Sequence, residues 1–502
     1  MPDHLELRHG AYHDSVSLMQ VSRTVAATPG VEAAQVAMAT ELNTDLLRAM
    51  GFDVPPEAGP NDLVVALRGD DEALAAGRAA LEAALADLRA PRAAGGFGEA
   101  PAPHTLGGAI DAGGATLALV SVPGAHAVIE ALDAVRHGVS VMVFSDNVDL
   151  DDEVRLKDAA AAADVLVMGP DCGTAVVGGV ALGFANVVRQ GQVGIVAASG
   201  TGAQQVMCLL DAAGVGVSHC LGVGGRDLSS AVGGRSTRQA LAALAADEAT
   251  TSVVVVSKPP APEVLADLER YAAGLGKPVH WATLGPGRDD LTTAVERVLT
   301  AGGHAVPPWP VWPAPEEATA SGPSLRGLFC GGTLADEAML VAAERLGGIR
   351  SNIPLEPGLA LGPDLRDPGH VVVDFGDDGL TRGRAHPMID PTLRLERVAA
   401  EATDATCGVM LLDLVLGHGA HPDPATDLAA AVRAARATAR ADGRELPVVV
   451  SLTAAAHDPQ GLLASAEALQ AAGASVFLSN AAATRHALSL LPDGHSTEGS
   501  DR

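Results

Sequence analysis

The chain has 502 residues, enough for about two to four ordinary domains. Its formal net charge of −28 excludes a nucleic-acid backbone as partner, because no surplus of Lys or Arg is present to displace counterions, and it excludes adsorption to anionic lipid for the same reason. Hydrophobic residues make up 48% but aromatics only 2%, so a sizeable core must be built from Ala, Val and Leu, which suits helices packed closely on parallel strands.

No run of about 18 or more apolar residues occurs, so no membrane span is expected. The N-terminus, MPDHLELRHGAYHDS, lacks the basic and apolar regions of a signal peptide, which points to the cytoplasm. Five cysteines (Cys172, Cys208, Cys220, Cys330 and Cys407) are scattered without a CxxC pair. That pattern argues against a disulfide framework or a structural zinc site, and no metal is expected.

In chain order, residues 1–90 read as a small α+β or α/β module. Its elements are a helix from Ser15 to Ala27 capped by Asp14 or Ser15, a strand Val31 to Met38, and a helix Thr40 to Met50. A strand Asp62 to Arg68 and a long amphipathic helix Glu72 to Leu88 follow, and no catalytic signature is visible. Residues 90–114, rich in Gly, Ala and Pro, read as a linker, and so do residues 301–324, with six prolines around Trp309 and Trp312. The tail after Leu491 is polar and reads as frayed.

Residues 115–190 read as a doubly wound unit. Strands Thr116–Val122, Ser140–Phe144 and Val165–Met168 alternate with helices Ala125–Arg136 and Asp151–Ala163. Residues 191–300 and 325–490 read as an imperfect repeat. Strand Val193–Ala197 runs into Ser199-Gly200-Thr201-Gly202 and a helix; strand Leu325–Phe329 runs into Cys330-Gly331-Gly332-Thr333 and a helix. In each half a later strand, Val253–Val256 or Val409–Leu412, leads into a Pro-containing loop and helix, and a Pro-Val strand follows. Two flavodoxin-like halves facing each other are the natural architecture.

The two Gly-rich turns carry the chemistry. A strand that ends in small residues and opens a helix leaves backbone N–H groups free, at the positive end of the helix dipole. Gly lets an anion approach closely, and the hydroxyls of Ser199, Thr201 and Thr333 can add hydrogen bonds. One such turn only closes a βα unit; two matching turns in matching halves point to a phosphate site. No Gly-Lys-Thr or Gly-Lys-Ser is present, so a P-loop is not supported.

Other candidates lie at strand ends, where open α/β sheets place ligands. His386 follows the acidic strand end Val371-Val372-Val373-Asp374-Phe375-Gly376, and Asp413 and His418 follow another strand. Each reads equally as an ordinary loop residue. His418 and His421 show no third metal ligand. Arg226 in LGVGGRDL reads as an anion fork or as a surface pair with Asp227, and Cys330 and Cys172 read as small buried strand-end residues.

Residues 115–300 resemble the α subunit of succinyl-CoA synthetase in VPGAHAVIEALDA, MGPDCGTAVV, GQVGIVAASGTGAQQV and CLGVGGRDL, and residues 325–490 resemble the C-terminal domain of its β subunit. With YHDSVSLMQVSRTVAATPGV, HPMIDPTLRLER and LGHGAHPDP added, nearly the whole chain resembles the FdrA family. The resemblance implies an α/β fold: a Rossmann-like CoA-binding-type domain over 115–190, then two flavodoxin-like ligase domains over 191–300 and 325–490, behind the small module. In the synthetase two helix N-termini converge on a phosphoryl group carried by histidine. Those positions fall here on Ser199, Gly200, Thr201 and Gly202, and on Gly331, Gly332 and Thr333.

The chain departs from the synthetase in two ways. The stretch His280-Trp281-Ala282-Thr283-Leu284-Gly285-Pro286-Gly287 lacks the Gly-His-Ala-Gly loop that bears the phosphohistidine. A Gly-rich coenzyme A loop is also not visible, Gly107-Gly108 and Gly113-Gly114 being poor substitutes, and no ATP-grasp domain precedes the last unit. The FdrA resemblance implies the acyl-CoA synthetase superfamily and a subunit of oxamate carbamoyltransferase in purine-ureide (allantoin) catabolism. That enzyme exchanges oxalurate and phosphate with oxamate and carbamoyl phosphate. The implied substrate is a small anion, phosphate or carbamoyl phosphate, and the implied partners are the other subunits of a hetero-oligomer. Two further readings stay open: an ADP-forming acyl-CoA ligase with another histidine as phosphoryl carrier, and a non-catalytic scaffold that binds a metabolite.

Overall fold

The structure is a computed structural model that describes residues 2–11, 13, 15–89, 103–316, 318–381 and 384–492. Asp14, the linker residues 90–102 and most of the tail after Leu491 lie outside the described residues. The elements fall into two compact units, the first ending with α3 and the second beginning with α4.

The first unit contains β1 (Asp3–Arg8), α1 (Ser15–Ala26), β2 (Val31–Met38), α2 (Glu41–Ala49), β3 (Leu63–Gly69) and α3 (Asp71–Arg89). Its sheet has the order β1-β3-β2, and β3 pairs antiparallel with both neighbours, which makes the module α+β. Alternation along β3 sends Leu63, Val65 and Leu67 into a core with Leu18, Val21 and Val25 of α1 and Leu81 and Leu85 of α3. Val64 and Ala66 face Leu47, Phe52 and Val54 on the other side. Burial on both faces is why DLVVALR is a nearly unbroken apolar run.

The second unit opens with α4 (Leu106–Gly113), which corrects the linker reading of residues 90–114. Thr105 caps α4 by accepting from Gly108 N–H, and Gly114, at φ 61°, ends it in the left-handed conformation that glycine favours. Strands β4 (Leu117–Val120), β5 (Ser140–Val143) and β6 (Val167–Met168), with α5 (Gly124–Arg136) and α6 (Leu150–Ala162) between them, make a parallel sheet in the order β4-β5-β6. Within these three strands the winding is sequential and does not reverse. One face packs on α5 and α6; Leu117, Met142 and Met168 on the other face join the core of the next layer.

A hairpin, β7 (Thr174–Val177) and β8 (Val180–Gly183), was not foreseen from the sequence. It extends a six-stranded sheet with β9 (Gln190–Ala198), α7 (Gly200–Ala212), β10 (Val217–Gly222), α8 (Arg235–Ala246), β11 (Ser252–Ser257), α9 (Pro262–Ala272), β12 (Val279–Thr283) and α10 (Leu291–Ala301). The strand order is β12-β11-β9-β10-β7-β8.

The last sheet comprises β13 (Val311–Trp312), β14 (Ser324–Phe329), α11 (Gly332–Leu346), β15 (Arg350–Ser351), β16 (Val371–Asp374), α12 (Asp378–Thr381), α13 (Thr392–Ala402), β17 (Cys407–Val415), α14 (Pro424–Ala441), β18 (Val448–Thr453), α15 (Leu462–Ala471), β19 (Ala474–Phe477) and α16 (Asn480–Leu490). Its order is β13-β19-β18-β17-β14-β16-β15, so the proline-rich stretch 301–324 contributes an edge strand. In the six-stranded sheet the first parallel strand, β9, has its successor β10 on one side and the third strand, β11, on the other; this is the flavodoxin-like order, and its switch point is where such sheets bind ligands. In the last sheet β14 likewise divides the strands, with β16 on one side and β17 on the other, and the two-residue β15 lies outside β16. The two halves share one core, in which Val206 and Leu209 of α7, Leu334 and Met339 of α11, Val295 of α10 and Ala487 of α16 are all buried.

Candidate functional site

The two Gly-rich turns meet. Ser199 caps α7 by accepting from Gly202 N–H at 2.9 Å, and its Oγ lies 2.6 Å from Thr333 Oγ1 at the start of α11. A methyl group on Gly331 would fall 2.8 Å from Thr201 Oγ1, and one on Gly202 would fall 2.9 Å from Thr333 Cγ2. These two glycines therefore let one helix N-terminus touch the other. Ser199 and Thr333 spend hydroxyl hydrogen bonds on each other across the contact.

The second turn is held from behind by Asp413, which is fully buried. Its Oδ1 accepts from Cys330 N–H and its Oδ2 from Gly331 N–H, both at 2.9 Å, and Arg394 pairs with Oδ1 at 2.9 Å. Asp413 thus shapes the turn, and two N–H groups are taken before a ligand arrives. Gly331 caps α11 without a side-chain acceptor, so the helix presents Gly332 and the N–H groups after it.

In front of Gly332, charged side chains gather from the carboxyl ends of strands of all three sheets of this unit. Lys258 follows β11, Asp374 ends β16, Asp336 stands in the first turns of α11, and Asp171 follows β6. Lys258 Nζ is 3.8 Å from Asp336 Oδ2. A methyl on Gly332 would fall 2.6 Å from Asp374 Oδ2 and 2.8 Å from Lys258 Nζ, so both charged atoms look into the same space. Lys258 keeps 40% of its side-chain surface in contact with solvent and Asp171 is exposed, yet both are strongly desolvated. Groups that water reaches while protein crowds them are lining a cleft.

The charges there are unbalanced. Burial pushes Asp171 up to about 7, and Asp378 and Asp146 push the same way against Lys258 and Arg226. Burial also lifts Asp374 to about 7 and Asp336 to about 6, in each case against the pull of Lys258. Burial works against the charge of Lys258, but Asp336, Asp374, Asp171 and Asp377 outweigh it and hold the amine above the usual lysine value. Carboxyls raised in the folded state favour folding fully below their unfolded value near 3.8 and lose that advantage as pH climbs through about 7. Denaturant midpoints at pH 5 and pH 8 should therefore differ less in Asp374→Asn than in the wild type. Equal pH dependence in the two proteins would contradict the shift.

His386 sits beside this cleft. Its Nδ1 accepts from Met388 N–H at 3.2 Å, so the ring proton is on Nε2, and burial lowers its pKa to about 4. Nε2 points toward Gly376, where a methyl would fall 2.8 Å away. Of the other candidates, Arg226 is near enough to act on Asp171 and Asp378, but its partners are on α6 and the residues before it. Arg226 is paired with Glu153 at 2.8 Å and donates to Val148 O, and His418 is exposed and bridges by its backbone to Ala185. Gly200 meets only Thr174 Oγ1, at 3.4 Å. Among the described residues no group of three or more His, Cys, Asp or Glu is arranged to hold a metal ion, and no helix is long and apolar enough to cross a membrane. Sequence reasoning missed Lys258, Asp171 and Asp336. The available signal was a charged residue directly after an apolar strand, as in VVVVSK.

Two flavodoxin-like halves with apposed helix N-termini, joined to a Rossmann-like layer, define a succinyl-CoA-synthetase-like, CoA-ligase-related protein of the acyl-CoA synthetase superfamily. Residues 328–490 match the CoA-ligase family, and residues 1–102 match a family described as AllF, heavy metal-associated domain. The protein YahF of Escherichia coli (strain K12) is 37% identical over 489 residues, which cover 93% of this chain and 94% of YahF. The chain belongs to the FdrA family. The ADP-forming succinate–CoA ligase subunit alpha of Methanothermobacter thermautotrophicus is 27% identical over 181 residues, 34% of this chain and 59% of that one. Among solved structures, the dinucleotide-forming acetyl-coenzyme A synthetase 1 of Ca. Korarchaeum cryptofilum, in complex with phosphate and ADP, aligns with 75% of this chain and 84% of its own at 13% identity and a TM-score of 0.27. ATP citrate lyase of Methanothrix soehngenii aligns with 40% of this chain and 37% of its own at 15% identity and a TM-score of 0.31.

Proposed function

We propose that this chain is one subunit of an oxamate carbamoyltransferase and that it holds phosphate, or the phosphate end of carbamoyl phosphate, on the first turn of α11 beside Lys258. The observation that carries the reading is the convergence of Gly332, Lys258 Nζ and the α11 N-terminus on one accessible cleft. An oxyanion there meets unpaired N–H groups, a helix dipole and an ammonium. In the phosphorolytic direction a phosphate oxygen attacks the carbamoyl carbon of oxalurate, the carbon–nitrogen bond breaks, and oxamate leaves with a proton on its amide nitrogen. Asp171, pushed up to about 7, titrates where a general acid is most effective. No covalent histidine is needed.

The competing reading is an ATP-driven ligase with His386 as phosphoryl carrier, because that ring is next to the turn. Its Nδ1 is occupied by Met388 N–H, which leaves Nε2 a donor and a poor nucleophile. Coenzyme A has no role in the proposed reaction. The oxalurate pocket and the exclusion of water are assigned to partner subunits, since the chain's net charge of −28 repels a dicarbonyl anion. The expected result is that the purified chain binds phosphate but turns over oxalurate slowly, and that carbamoyl phosphate forms once the partner subunits are added and co-elute with it. Labelled ATP should leave no acid-labile phosphate on the protein. Phosphohistidine at His280, His304 or His386, or thioester formation from ATP and coenzyme A, would replace this reading with the ligase. Full turnover by the chain alone would remove the partners from it.

A further inference from the structure

Asp374 is 3% exposed, and its orientation is fixed from both ends. Its backbone N–H donates to Asn352 Oδ1 at 2.9 Å, and its carbonyl accepts from Asn352 Nδ2 at 2.8 Å. Its Oδ1 accepts from Gly376 N–H at 2.9 Å. Among the described residues, no donor is bonded to Oδ2, the atom that faces the space in front of Gly332 next to Lys258 Nζ. Oδ2 is not sealed from solvent, and a carboxylate oxygen that faces the cleft with no protein donor gains from a ligand that brings one. Inorganic phosphate would engage Lys258 and the α11 N-terminus with its oxygens and has only its residual P–O–H protons to offer Oδ2. An acyl phosphate brings a methyl or methylene group. A carbamoyl group brings N–H donors on one side and an anionic end on the other.

We propose that Asp374 and Lys258 form a matched pair that selects a carbamoyl group attached to an anion, with Lys258 Nζ on the phosphate end and Asp374 Oδ2 accepting from the carbamoyl N–H. This rests on the carbamoyltransferase reading and adds to it the residue that tells an amide from a methyl group. A site built to hydrogen-bond a donor rejects the isostere that lacks one far more strongly than an apolar pocket discriminates by size.

The test uses two stable isosteres, phosphonoacetamide and acetonylphosphonate, which differ only in NH2 against CH3, titrated calorimetrically into the full chain. The wild type is expected to bind the amide at least about tenfold more tightly. In Asp374→Asn the side-chain oxygen keeps Gly376 N–H and the amide nitrogen takes the place of Oδ2, so a donor faces a donor. The ratio should fall to about one, with a thermal midpoint near that of the wild type. Lys258→Met should weaken both analogues alike. Equal affinity of the wild type for the two analogues would overturn the inference even if the assembled complex still makes carbamoyl phosphate. Failure of both analogues and of phosphate to bind would instead overturn the carbamoyltransferase reading itself. Should Asp374→Asn not fold, the wild-type ratio alone decides.

Discussion

Replacing Gly332 by alanine should weaken phosphate binding by about tenfold to a hundredfold, the loss expected when one or two charge-assisted hydrogen bonds are broken. Gly200→Ala, at the matching position of the other turn, should change it little. The two glycines share a motif but not surroundings. A methyl at Gly332 intrudes on Asp374 Oδ2 and Lys258 Nζ at 2.6 and 2.8 Å, well inside contact distance, whereas at Gly200 it makes an ordinary contact with Thr174 at 3.4 Å. Lys258 is the flexible partner and turns away from the anion; the Asp374 carboxylate, held by Gly376 N–H, must shift as well, so the variant should also lose some thermal stability. Calorimetry with inorganic phosphate on both variants, checked by thermal unfolding, measures the contrast. Equal affinities would mean that the anion does not sit in front of α11. The sequence pattern alone made Gly200 and Gly332 equivalent; the cleft on one side only makes them different.

That asymmetry marks how far the sequence could be read. Strand–Gly–helix patterns are local, so β9 with α7 and β14 with α11 were legible within a few residues, as were the long apolar runs that became β3 and β17. The hairpin β7–β8 carried a signal that was passed over: Val177-Gly178-Gly179-Val180 places two glycines, both at positive φ, between apolar strands. Treating residues 90–114 as a linker overlooked the cap at Thr105 and the glycine stop at Gly114 that bound α4. The cleft was the least legible part. Asp171 follows β6, Lys258 follows β11, Asp336 lies in α11 and Asp374 ends β16, and nothing in their local spacing says that they share one space. Only the strand order, which sets which connections lie side by side, brings them together.

The same strand order explains why the largest stability effect should come from Asp413, which stands behind the second turn. Asp413→Ala should cost about 3–5 kcal/mol, the usual penalty for leaving one member of a buried ion pair alone, here Arg394. Arg394 is only 3% exposed and also donates to Leu328 O at 2.9 Å and to the Asp413 carbonyl, so it cannot swing out to water without giving up the hydrogen bonds by which it bridges carbonyls of β14 and β17. Removing both charges in Asp413→Ala with Arg394→Met should recover only part of the loss. Cys330 and Gly331 N–H would still lack the acceptor that Asp413 supplies, and a buried donor left unpaired costs about 1–3 kcal/mol. Urea unfolding of the two single variants and the double variant separates the terms. Complete recovery in the double variant would mean that the carboxylate serves Arg394 alone. Partial recovery, together with weakened phosphate binding, would mean that Asp413 holds the turn in the shape that leaves Gly332 and its N–H facing the cleft.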